Sequence, residues 1–205
     1  MAAAVANNIA TSQSPGSAAL TLVTVPVIID SATTNNSAIG RRVIVTSGGN
    51  DTGINWVVVG TNSSGTTITD VFPGVSGGAA QSNLDFVNVS SITPSGAVAT
   101  TALAGTNGVG SSPWVTWNYS VNPPINLGFA VEVVSGAVNY TVQYTYDDPN
   151  NLLGGALFPL AFSSILNAAS TTLDGTLSTP FVATRVVVNS GTGVIRCRFV
   201  QAGIG

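Results

Sequence analysis

The chain has 205 residues, enough for one large β domain or two small ones and for a sizeable core without disulfide staples. Charged residues are 6% of it, against roughly 25% in an average soluble protein, and all five side-chain cations are arginines. With so little basic charge no phosphate-binding patch can form, and with no histidine the Ser-His-Asp and Cys-His constellations are ruled out, so nucleic acid, catalysis and a required cofactor are not expected.

No stretch approaches the roughly 18 apolar residues of a membrane helix, and the first residues lack the basic segment of a secretory signal, so no membrane partner is expected. Residues 1–20 show no periodicity and read as an extended N-terminal arm, free to reach a neighbouring subunit. From residue 21 the chain is a run of short β-branched strands broken by Gly, Pro and Asn: "TLVTVPVII" (21–29), "RRVIVTS" (41–47), "INWVVVG" (54–60), "TTITDVF" (66–72) and "LDFVNVSSI" (84–92). "GTNGVGSS" (105–112) has no lysine and opens no helix, so it reads as a flexible loop and not a phosphate cradle. "PWVTWNYS" (113–120), "GFAVEVVS" (128–135) and "VNYTVQYTY" (138–146) continue the strand pattern. "DDPNNLLGG" then marks a linker at 147–155, and the remainder, 156–205, is a β segment ending in a hairpin, with room for a helical turn or two in 156–170.

The resulting fold class is all-β, an antiparallel sandwich or barrel built from hairpins, with a main domain over 21–146 and room for a second small β domain. Three segments share one plan, a β-branched run followed by Ser-Gly and a second strand, which predicts hairpin turns near Ser47–Gly49, Ser135–Gly136 and Ser190–Gly193. Val43, Val45, Val57, Val59, Val142 and Val187 are the expected core positions. In "LDFVNVSSI" the face carrying Val87 and Val89 is expected inside, and that of Phe86 and Asn88 outside.

Few residues offer chemistry. In strand 193–200, Ile195, Cys197 and Phe199 share one face, which places Cys197 with the core as a small hydrophobe. Arg196 and Arg198 share the other face. They form either a solvated face paired across the strand or, with Arg185, a subunit-interface anchor, since arginine is favoured at protein contacts. Arg41 and Arg42 are adjacent and point opposite ways. Asp147–Asp148 reads as a turn before Pro149. A glycosidase pair would need a second carboxylate such as Asp174 or Glu132 facing it, and calcium would need more oxygens in one loop. Trp56, Trp114 and Trp117 do not make one sugar platform, because Trp114 and Trp117 face opposite ways in a strand.

"GRRVIVTSGGNDTGINWVVVGTNSSGTTITDVFPG", "VEVVSGAVNYTVQYTYDDPN" and "PFVATRVVVNSGTGVIRCRFVQAGIG" cover about 80 of the 205 residues. In these stretches, chiefly the Tyr-Thr-x-Asp-Asp-Pro step and the closing Ser-Gly-x-Gly turn, the chain resembles small β-rich virion structural proteins of tailed, podovirus-like bacteriophages. The resemblance implies a non-enzymatic building block located in the virion. The expected role is a neck or tail component such as a nozzle, adaptor or fibre-attachment ring. The expected partners are other virion proteins and further copies of itself. The alternatives are a head decoration protein and a receptor- or carbohydrate-binding module of a tail fibre.

Overall fold

β-branched runs of five to ten residues punctuated by glycine and asparagine favour strands over helices, because a branched side chain packs well on a pleated surface and poorly against a helical turn. A computed structural model describes residues 5–29, 39–118, 126–149, 160–161, 166–178, 180–191 and 193–202, and fifteen strands lie among them. The chain is all-β, with antiparallel sheets packed as sandwiches. It divides into two compact units, one covering residues 2–110 and the other 111–205.

The N-terminal unit holds β1 (Ala10–Gln13), β2 (Val27–Ile28), β3 (Gly40–Asn50), β4 (Asn55–Thr61), β5 (Thr67–Pro73), β6 (Ser76–Phe86), β7 (Asn88–Pro94) and β8 (Ala102–Ser111). One sheet runs β8–β3–β6, with β1 also on β8; the other runs β2–β7–β4–β5. Their inner faces meet over Trp56, Phe72, Phe86, Ile92, Val43, Val45 and Val58, all buried. Each such side chain contributes about 1.5–3 kcal/mol on leaving water.

The C-terminal unit holds β9 (Val115–Thr116), β10 (Asn126–Ser135), β11 (Val138–Thr145), β12 (Leu160–Ala161), β13 (Leu173–Leu177), β14 (Ala183–Gly191) and β15 (Val194–Ala202). β12–β11–β14, with β9 on β14, faces the sheet β13–β10–β15. Leu127, Phe129, Val131, Tyr140, Val142, Phe181, Val186 and Val188 fill the space between, with Ile195, Cys197 and Phe199 of β15 packed against them.

Several expectations are corrected. The three Ser-Gly steps are not hairpins. β3 continues through Ser47–Gly49 and pairs with β6, whereas β4 lies in the opposite sheet on β5 and β7. Likewise β10 pairs with β13 and β15 while β11 pairs with β12 and β14, so Ser135–Gly136 and Ser190–Gly193 both carry the chain from one sheet to the other. These are arches across the sandwich. The tight hairpin is β4–β5, where the Asn62 side-chain oxygen accepts the amides of Ser64 and Thr66 at 2.9 and 3.0 Å.

Residues 105–112 are not a loop: most of them form β8, and Gly105 lets the N-terminal chain cross, since a side chain there would run into the Val5 carbonyl and Ala6. That crossing also removes the free arm. Ile9 and Ala10 are fully buried in the core and β1 pairs with β8. "TLVTVPVII" contributes only the two residues of β2.

Val43, Val45 and Val142 are buried as expected, but Val57, Val59 and Val187 are half-buried while Trp56, Val58, Val186 and Val188 go inside. "LDFVNVSSI" is not one strand. The chain breaks at Val87, leaving Phe86 in β6 and Val89 in β7 of the opposite sheet, so both are fully buried and Val87 is half-buried. The compact units divide at Gly110/Ser111, so residues 111–146, assigned by sequence to the main domain, pack with the C-terminal residues. Most of the linker at 147–155, and most of the segment 156–170, lie outside the described residues.

Candidate assembly surface

The described charges of the N-terminal unit are buried or half-buried and bonded within it. Arg41 has the parity of Val43 and Val45 on β3, so its side chain enters the interior, 1% exposed, and its Nη1 donates to the Asn107 carbonyl at 3.3 Å. Arg42 points the other way and pairs with Asp85 at 2.7 Å while donating to the Ser82 carbonyl at 3.0 Å. Asp51 accepts the Ala99 amide at 2.9 Å, and Asp70 accepts the amides of Asn83 and Leu84, the latter at 3.0 Å. A buried charge costs several kcal/mol unless such bonds replace its water. Arg41, Arg42, Asp51, Asp70 and Asp85 are all buried or half-buried, so among the described residues this unit exposes no fully solvated charged side chain. What it exposes is neutral: threonine, serine and asparagine, with Val23, Val25, Ile28, Val71 and Leu84 among them.

The C-terminal unit distributes the three candidate arginines over two faces. Arg185 lies on the outer face of β14, its guanidinium 4.7 Å from the Trp114 ring centre, its Nε donating to Gln143 at 2.8 Å and its Nη1 to Ser111 at 3.5 Å. A guanidinium stacked on indole and held by an amide is rigid before any partner arrives, which lowers the entropy cost of using it in a contact. The row continues along the same face, where Asn189 donates to Asn139 and Thr141 at 2.8 and 2.9 Å. Arg196 and Arg198 lie on the outer face of β15, in the other sheet, both exposed. Arg196 pairs with Glu132 on β10 at 3.2 Å. The three arginines therefore do not form one cluster.

The other sequence candidates separate as well. Cys197 sits between the two arginines but faces the core, and burial pushes its thiol up to about 11, opposite to the lowering that an activated thiol needs. Trp56 is buried in the N-terminal core. Trp117 packs edge-on against Phe199 with ring centres 5.8 Å apart and donates its indole N–H to Thr184 at 2.9 Å. Only Trp114 of the three lies on an outer face. The Asp147 amide donates to the Thr145 hydroxyl at 3.1 Å, and Glu132 is engaged with Arg196. Among the described residues no three His, Cys, Asp or Glu side chains gather as a metal would need. Comparison with family models, curated proteins and solved structures gives no match.

Sequence reading missed the partners of these arginines. Trp114 and Gln143 join Arg185 only through the β11–β14 register and the β9 strand. Asp174 comes onto the face of Arg198 only because β13 pairs with β10. No local signal carries either pairing.

Proposed function

We propose that the chain is a non-enzymatic structural subunit of a tailed-phage virion, a neck or tail component that works by protein–protein assembly with other virion proteins. The observation that carries this reading is the N-terminal sandwich whose described surface holds no fully exposed charge. A freely diffusing protein normally keeps interspersed charge outside to stay soluble and monomeric. Here the described charges tie segments of the unit together, and exposed valines, Ile28 and Leu84 share the surface with neutral polar groups, as suits a subunit that is covered by neighbours for most of its life. The resemblance of its Ser-Gly segments to phage virion proteins supplies the biological setting. The arrangement favours neck or tail over a sugar-binding tip, because Trp114, the tryptophan on an outer face, is already stacked on Arg185.

The test is genetic and biochemical together. Particles assembled without the chain are expected to lack a completed neck or tail and to be non-infectious, and the purified chain is expected to restore them. Intact, infectious particles formed in its absence would overturn the proposal.

A further inference from the structure

Among the described residues the fully exposed charged side chains are Glu132, Asp147, Asp148, Asp174, Arg196 and Arg198. Four of them share the outer face of the sheet β13–β10–β15. The register fixes their layout. Asp174, Ala130 and Arg198 form one cross-strand row, Thr176, Gly128 and Val200 the next, and Glu132 stands beside Arg196 on the far side. The middle row thus has a carboxylate at one edge and a guanidinium at the other, about 10 Å apart at two strand spacings, with only a methyl group between. Neither Asp174 nor Arg198 has an ion-pair partner among the described residues, unlike Arg196. Exposed Val134, Val194 and Val200 (45%, 37% and 66%) border the charges at both ends.

We infer that this face docks against the same face of a second copy of the chain, about a two-fold axis that runs along β10 in the plane of contact. The commitment to a second copy rests on charge complementarity. Such an axis exchanges the two edges of the sheet, so Asp174 meets the partner's Arg198 and Arg198 meets the partner's Asp174. It sets Ala130 against Ala130 and Gly128 against Gly128, and these small residues permit the roughly 10 Å approach of packed sheets. Val200 falls against the partner's Thr176. Glu132 meets its own copy on the axis, where the Arg196 of each chain, bonded at 3.2 Å, makes a neutral cluster of four charges. Two other self-pairings are disfavoured. An axis across the strands level with Val131 and Cys197 sets Arg196 against the partner's Arg198. Antiparallel pairing of the β15 edges about Cys197 does the same, and like charges opposite one another on strands are destabilising. The face is self-complementary about the axis along β10, as an isologous interface must be.

This deepens the assembly reading and rests on it for its biological place, but its test needs only the purified full-length chain. Sedimentation of the wild type, Asp174→Arg, Arg198→Asp and the double exchange is the measurement. The wild type associates. Each single reversal weakens association by at least about tenfold, and the exchange of both residues recovers it. Since both positions are exposed, unchanged melting of the single variants confirms that folding is not the cause. In parallel, Ala130→Cys is expected to give a covalent dimer with a short bis-maleimide linker while the wild-type Cys197, facing the core, does not. A monomeric wild type, single reversals without effect, an exchange that fails to recover association, or no Ala130→Cys dimer would each overturn the face. If the exchange fails yet particles still require the chain, the face is wrong and the structural role stands. If the copies pair as described while particles form normally without the chain, the reverse holds.

Discussion

At the scale of single residues, the decisive choices are parity choices. "RVVVN" in β14 puts valine on both faces, yet Arg185 and Asn189 share parity with Val187, and a strand that turns those two outward must turn Val187 outward too. In β4, Asn55 and Thr61 set the same condition on Val57 and Val59, and Trp56 gains more by burial than either valine. The signal was present in the flanking polar residues and not in the valines themselves. Cys197 was legible for the same reason, with Arg196 and Arg198 on either side. Burial holds its thiol up at about 11 against an ordinary 9.0. The unfolded thiol therefore ionises first as pH rises. Its contribution to stability is complete below about pH 9 and is lost as pH rises toward 11. Tyr140, also raised by burial, acts in the same direction at higher pH. Cys197→Ala is expected to flatten the fall in urea stability between pH 9 and 11 relative to wild type, and parallel curves for the two proteins would show that the thiol is not protected.

At the scale of elements, strands were legible and their partners were not. A strand announces itself by local composition, but which sheet receives it is settled by residues far along the chain. Ser-Gly after a β-branched run fits a hairpin and an arch equally well, since both need a glycine that can turn sharply. The arch ending β14 shows the geometry. Gly191 has φ of 104°, and a side chain there would press on the Ala137 carbonyl and lie 2.9 Å from the Val138 Cα. Gly191→Ala combines a strained backbone with a clash and is expected to cost more than about 1 kcal/mol. Gly53→Ala, at a position with open space and no positive φ, is expected to be near neutral. Chemical denaturation of both variants checks this, and equal small effects would mean that the arch can relax. The glycines of β8 misled in the opposite direction. Gly105 and Gly110 let other backbone come close, and composition alone makes that look like a loop.

At the scale of the whole molecule, the two units have separate cores that share no residue among those described. A unit with its own core is able to unfold on its own. Scanning calorimetry is expected to show two transitions, with Trp56→Ala destabilising the N-terminal one by about 3–5 kcal/mol and leaving the other in place. One transition that moves as a whole would show that the units unfold together. The all-β class followed from composition. The division at Gly110/Ser111 did not, because the strongest punctuation in the chain, Asp-Asp-Pro-Asn-Asn, lies elsewhere.

The position of β15 also bears on how the chain is made. The sheet β13–β10–β15 is completed by the last described strand, and Glu132 waits for a partner 64 residues further on. At roughly 5–20 residues per second that interval is about 3–13 s, during which one edge of β10 stands open on the nascent chain. Synthesis order thus becomes part of the folding problem: a ribosome that stalls before Val194 releases a polypeptide with an unfilled strand slot, and on a polysome many such slots lie close to one another. Glu132, a lone carboxylate near the middle of that edge until Arg196 arrives, repels its copies on neighbouring nascent chains over this interval.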